Sequence, residues 1–223
     1  MAAAQEFWEQ PEQVERFAVR DADKRLSALI TLYPHPADIC VLDLGCAGGR
    51  NTVLLAEQGF DVYALDASHA MVAKTRERAA AILGVPEAER RVRAGKMSEL
   101  RPFGSGCFDL IVALGIYHNA ASQQEWERTL NETARVLKPD GLVLVSLFSP
   151  QSEPHGTTLR LAPGETHVYE GFGAGPMWLL DAADLDAEMT RVRLIPVIAT
   201  QTVFVKTDEG HRVTINALYH KTR

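Results

Sequence analysis

The stretch Val41-Leu-Asp-Leu-Gly-Cys-Ala-Gly-Gly-Arg-Asn51 decides the fold. Its first residues continue an apolar run that begins at Ile39, and a run this short reads as a strand buried on both faces. Gly45, Gly48 and Gly49 then make a turn, and residues 51–58 read as a short helix with Gly59 at its C-cap. A strand, a glycine-rich turn and a helix start aim backbone N–H groups at whatever lies beyond the strand's carboxyl end. A second strand, residues 61–65, is closed by Asp66, which stands roughly 20 residues after Gly45. An acidic side chain there accepts hydrogen bonds from ribose hydroxyls.

The same alternation continues outward. Upstream, residues 11–32 read as helix, with Pro11 in the first turn and a break near Asp21; Tyr33-Pro-His-Pro36 ends it. Downstream, Ser68 caps a helix carrying Met71, Val72, Thr75, Ala79, Ile82 and Leu83 on one side. Residues 91–94 are a weak third strand and residues 108–114 a strong fourth. Ser122-Gln-Gln-Glu125 is a capping box opening a helix with a Trp126, Leu130, Ala134, Leu137 stripe. Lys138-Pro-Asp-Gly141 reads as a stop and turn, and residues 142–148 as a fifth strand. The tail breaks the pattern: Asp181 caps a helix to Met189, and residues 202–206 and 212–219 form two strands joined through Thr207-Asp-Glu-Gly210. The expected fold is therefore α/β, a Rossmann-like, doubly wound and mostly parallel seven-stranded sheet with helices on both faces and a C-terminal antiparallel hairpin.

One domain is expected over residues 1–223: an N-terminal helical cap (1–36), a core (37–149), a lid (150–180), and a C-terminal helix and hairpin (181–223). Residues 150–180 are rich in glycine and proline, so regular structure is hard to place there. They also carry His155, His167, Tyr169, Phe172 and Trp178, too aromatic for a plain linker. A loop of that length is usually functional or disordered.

Two cofactor classes compete for the turn. The dinucleotide pattern G-x-G-x-x-G meets Gly45, Ala47 and Arg50, and fails at its third glycine. The pattern acidic-x-G-x-G-x-G meets Asp43, Gly45, Ala47 and Gly49, and departs by one methyl.

Leu42-Asp-Leu-Gly-Cys-Ala-Gly-Gly-Arg50, Leu65-Asp-Ala-Ser68, Phe108-Asp-Leu-Ile-Val112 and Arg135-Val-Leu-Lys-Pro-Asp-Gly141 occur in this order. Together they resemble the class I S-adenosylmethionine-dependent methyltransferases over about residues 38–148, and the final hairpin resembles that family's reversed seventh strand. The resemblance implies S-adenosylmethionine as cofactor and S-adenosylhomocysteine as product. It implies that Gly45, Cys46, Ala47, Gly48, Gly49 and Asn51 lie along the methionine end, with Asp43 near its ammonium. Asp66 would hold the ribose hydroxyls. Ala67 and Met71 would line the adenine, and the Met97 N–H would reach a ring nitrogen. Lys96 stands where the family often has an acid. Leu114 and Gly115 would face the ammonium, and Arg20 would pair with the cofactor carboxylate.

The family reaction is in-line displacement at a sulfonium methyl, so the protein mostly positions the reactants. Tyr117 and His118 follow the fourth strand, where the methyl would point; His118 is the candidate base, and both are taken as pocket lining. Trp8, Tyr169 and Trp178 are candidate lid residues over the acceptor.

Composition narrows the partners. The chain has 223 residues, net charge -6 and 46% hydrophobic residues. That acidity disfavours a nucleic-acid substrate and points to a small-molecule acceptor. No apolar run approaches a membrane span, and the N-terminal residues lack a secretory pattern, so a cytoplasmic location is expected. Cys40, Cys46 and Cys107 are too few for a disulfide framework and lack metal-ligand spacing; no metal is expected. Two other readings stand beside the enzyme: a non-catalytic S-adenosylmethionine-binding sensor or inactive subunit, and, with Arg50 against it, an NAD-dependent oxidoreductase.

Overall fold

The computed structural model describes residues 2–223. Apolar strand residues and amphipathic helices sort into layers around one sheet. In chain order the elements are α1 (Ala2–Glu9), α2 (Pro11–Ala18), α3 (Lys24–Ile30), β1 (Cys40–Leu44), α4 (Arg50–Glu57), β2 (Asp61–Asp66), α5 (His69–Leu83), α6 (Val85–Arg91) and β3 (Val92–Ala94). They continue with β4 (Phe108–Leu114), α7 (Gln123–Val136), β5 (Leu137–Phe148), β6 (Arg160–Leu161), β7 (Val168–Glu170) and β8 (Met177–Trp178). The chain closes with α8 (Ala182–Arg191), β9 (Leu194–Pro196), β10 (Gln201–Thr207) and β11 (Gly210–Lys221).

The main sheet runs β10-β11-β5-β4-β1-β2-β3. Strands β3, β2, β1, β4 and β5 are parallel, and β11 returns antiparallel between β5 and β10. Because β1 is central, Val41, Leu42 and Leu44 are all buried. One face packs on α7 and α8 through Trp126, Leu130, Leu185 and Met189. The other packs on α3 and α4 through Leu26, Leu29 and Leu55, and on α5 through Val72 and Ala79. After β3 the chain crosses to β4 on the far side of β1. This reversal opens a crevice at the carboxyl ends of β1 and β4, the place where such sheets take ligands. No helix among the described residues is long and apolar enough to cross a membrane.

The local signals held where caps and periods are local. Ser68 accepts from the Met71 N–H at 3.1 Å, and Asp181 accepts from the Asp184 N–H at 2.9 Å. The helix over 11–32 breaks near Asp21, as expected, into α2 and α3, because Asp23 caps a new start by accepting from the Arg25 N–H at 2.9 Å. Other expectations need correction. Lys138-Pro-Asp-Gly141 does not stop before β5 but lies within it; Asp140 at φ 64 absorbs the irregularity. An eighth strand, β9, pairs with β11 beside residues 219–221. Residues 150–180 hold a second small sheet, β6-β7-β8.

Candidate functional site

The glycine turn is built from both sides. The N–H groups of Gly45 and Cys46 donate to the Leu65 carbonyl at 2.7 and 3.1 Å, which ties the turn to the end of β2. Gly45 and Gly49 have φ 76 and 83, where glycine is unstrained. Ala47 also has positive φ, 46, a conformation that costs a residue with a Cβ about 1–2 kcal/mol. Two bonds hold it there: its N–H donates to Asp66 Oδ2 at 2.9 Å, and its carbonyl accepts from Thr75 Oγ1 at 2.6 Å. The one-methyl departure in the motif is thus compensated by its neighbours.

Asp66 therefore organises the turn itself. Its Oδ1 accepts from the Ser68 N–H at 2.9 Å. A carboxylate has about four lone-pair sites, so two remain after these bonds. Burial raises the Asp66 carboxyl above its usual range, offset by those backbone donors. Asp43 is buried below the turn and accepts from Thr52 Oγ1 at 2.6 Å; burial pushes it up to about 6.

The turn is roofed closely. A Cβ on Gly45 would lie 2.7 Å from the Ile116 Cβ, and one on Gly48 would lie 2.6 Å from the Ala18 backbone nitrogen. Hence α2 lies directly on the turn. Gly45→Ala is expected to lower unfolding free energy by about 2 kcal/mol or more, from positive φ plus overpacking. Gly104→Ala, with nothing within 4 Å, is the control. Urea titrations of both variants would check this; equal midpoints would contradict the packing described. Farther along, Trp8 O accepts from Ser68 Oγ at 3.1 Å, and Glu9 accepts from the His69 and Ala70 N–H groups at 2.8 and 3.0 Å. These contacts clamp α1 to the start of α5.

Other sequence-derived candidates fall into two groups. Ala67 is exposed beside Asp66, Lys96 and Met97 follow β3 with Met97 buried in the main core, and Leu114 ends β4 with Gly115 next to it, so all lie at the carboxyl edge of the sheet. Arg20 is exposed just past α2, with its guanidinium 4.3 Å from the Phe17 ring centroid. The second group is corrected. Tyr117 is fully buried and its hydroxyl bonds Thr133 Oγ1 at 2.8 Å, so it is a core residue and not a catalytic or pocket residue. His118 is buried, stacks on Phe148 and accepts the Phe148 N–H at Nδ1 at 3.3 Å. Burial pushes it down to about 3, so it stays neutral and is a poor base. Trp178 is core, stacked on Trp126 at 5.7 Å. Met71 is interior. The Cys46 thiol is buried against Thr75, and Asn51 Oδ1 accepts the Asp23 N–H at 3.0 Å, so both side chains brace the turn from behind. Trp8 is half-buried and edge-on to Phe17, and Tyr169 packs in the small cluster under β6–β8. Sequence reasoning missed Thr75, Ile116 and Glu9, because their contacts join segments remote in the chain.

Residues 41–141 match the family model described as "Methyltransferase domain". They span β1, the turn, β2 and β4, the elements that frame the crevice.

Over these residues the chain is similar to the methyltransferase family.

An uncharacterized methyltransferase of Synechocystis sp. is 35% identical over 113 residues, 50% of this chain and 49% of that protein. A ubiquinone biosynthesis O-methyltransferase of Caulobacter vibrioides is 33% identical over 141 residues, 60% of this chain and 53% of that protein. The chain thus spans about half the length of the curated relatives it matches. Among solved structures, the Burkholderia thailandensis 1,6-didemethyltoxoflavin-N1-methyltransferase, bound to 1,6-didemethyltoxoflavin and S-adenosylhomocysteine, superimposes with TM-score 0.61 at 23% identity, over 90% of this chain and 78% of that one. The Synechocystis magnesium protoporphyrin IX methyltransferase with bound S-adenosylhomocysteine gives 0.64 at 16% identity, over 99% of both chains. These superpositions establish that the chain shares the fold of these two proteins.

Proposed function

We propose that this protein transfers a methyl group from S-adenosylmethionine to a small-molecule acceptor, releasing S-adenosylhomocysteine. The observation that carries the reading is the Asp66 carboxylate. It is locked against the turn at Ala47 and Ser68, with acceptor capacity left for ribose hydroxyls. Ala67, Lys96 and Met97 border the adenine end, and Leu114, Gly115 and Asp43 the ammonium end. Arg20 takes the carboxylate through a bidentate fork. The small sheet β6–β8 packs on the 117–119 turn and covers the acceptor side. Relatives named for small-molecule O-methylation support the acceptor class, and three free thiols suit a reducing, cytoplasmic setting.

When bound, S-adenosylmethionine supplies a methyl already activated on sulfonium. The chain's residues bind and orient the partners, an effect worth up to about 7–11 kcal/mol of barrier. Burial keeps His118 neutral and only weakly basic, so the site favours an acceptor that arrives ionised or is readily ionised. Asp66→Ala is expected to weaken S-adenosylhomocysteine binding by about 1–3 kcal/mol, read by calorimetry. Parallel titration with NAD should show no binding. Wild-type protein that binds NAD and neither sulfur cofactor would overturn the reading, and unchanged affinity in Asp66→Ala would remove the ribose role.

A further inference from the structure

The mouth of the glycine turn is ringed by guanidinium groups. Arg16 and Arg20 both lie over the Phe17 ring, 5.7 and 4.3 Å from its centroid. Arg50 opens α4 after Gly49, and its Nη1 donates to the Asp21 carbonyl at 3.2 Å, one residue from Arg20. Arg212 stands on β11 two residues beyond the Thr214–Phe148 pair where β5 ends. By alternation along β11 it shares the face of Leu218, which packs with α3. Arg16, Arg50 and Arg212 all act on Arg20, and with desolvation as the larger cause they hold it below the ordinary arginine value.

Among the described residues none of the four arginines has an ion-pair partner. Of the nearby carboxylates, Asp23 pairs with Arg25, Glu15 with Lys74 and Glu153 with His211, and the charge of Arg50 is felt by Asp23 and by the buried Asp43. Like charges within about 10 Å repel, and they converge here in a chain of net charge -6. Both guanidinium groups lie beside the Phe17 ring, and among the described residues neither donates a hydrogen bond within the chain, which leaves their N–H groups for a ligand. Planar forks of this kind suit carboxylate or phosphate oxygens. The cofactor carboxylate accounts for Arg20 and leaves Arg212 and Arg16 in surplus.

We propose that the methyl acceptor carries an anionic group, carboxylate or phosphate, and that Arg212 with Arg16 binds it beside the cofactor end held by Arg20. This rests on the cofactor reading above. It agrees with the neutral, buried His118, since an acceptor already ionised needs no base from that position.

The test is calorimetric titration of inorganic phosphate, at low ionic strength, into free protein and into protein saturated with S-adenosylhomocysteine. Saturable binding is expected in both states. Arg212→Gln should weaken it about tenfold, roughly one charge-assisted contact. Arg128→Gln, an exposed arginine on α7, should leave it unchanged. Thermal melts check that each variant folds, and Arg16→Gln replaces Arg212→Gln if that one does not. The proposal is overturned by an absence of saturable binding, or by binding that neither arginine variant alters. Binding abolished on loading with S-adenosylhomocysteine also overturns it, since the cluster would then serve the cofactor carboxylate alone. If S-adenosylhomocysteine itself does not bind, the cofactor reading falls, and the free-protein arm still decides the anion site.

Discussion

Trp126→Ala should lower the free energy of unfolding by about 3–5 kcal/mol, the usual cost of removing a large buried aromatic side chain. Trp126 is fully buried on α7. It stacks on Trp178 at 5.7 Å, meets Tyr117 edge-on at 6.2 Å and donates its indole N–H to Glu188 at 3.0 Å. It thereby joins α7, the 117–119 turn, β8 and α8. Alanine leaves a cavity among rigid aromatic neighbours that cannot collapse easily, and it leaves Glu188 Oε2 without its indole donor. Trp126→Phe restores most of the volume but not the hydrogen bond, so it should cost about 1–2 kcal/mol. Urea unfolding of the two variants separates these contributions. A loss under about 1 kcal/mol for alanine would mean the small sheet is not anchored through this side chain.

Asp43→Asn should have the opposite sign and stabilise the ligand-free protein at neutral pH. Burial raises the Asp43 carboxyl from 3.8 to about 6, and the bond from Thr52 offsets only part of that cost. A carboxyl with a raised folded-state value binds more protons folded than unfolded, so stability falls as pH rises from ~4 to ~6. Above that window the deficit is constant at roughly 2–3 kcal/mol. Asparagine cannot ionise and still accepts the Thr52 hydroxyl through Oδ1. The variant should therefore match wild type near pH ~4 and exceed it by that amount at pH ~7. Under the proposed function it should also bind the cofactor ammonium less well, since the charge is gone. Equal stability at both pH values would mean that Asp43 is solvated in solution. A site residue that costs folding energy is expected where charge is held ready for a ligand.

Much of this architecture was legible because its determinants are local. The apolar run before Gly45, the cap at Ser68, the glycine ending α4 and the polar turn before Gly210 each depend on residues a few positions apart. Asp66 was legible as well, because a strand's end and a following turn set its place. The motif even contained the Ala47 departure, although the pair of bonds that tolerate it became visible only when Asp66 and Thr75 were brought to it.

Contacts between distant segments were a different matter. Tyr117 and His118 sit where a catalytic pair would follow the fourth strand, yet one hydroxyl from α7 and one N–H from Phe148 assign both to the interior. Lys138-Pro-Asp-Gly141 carries strong turn chemistry, but pairing with β4 and β11 draws its flanks into one strand. The strands β6–β9 are too short to show a period and exist through their partners. The meeting of Arg50, which opens α4, with the Asp21 carbonyl beside Arg20 leaves no trace in either segment. Sequence alone determined the order and type of the main elements and the glycine turn after β1, because short-range sterics and hydrogen bonding act over a few residues. Tertiary structure alone decided which side chains are buried, neutral or mutually charged, because burial and electrostatic fields depend on what the fold places next to them.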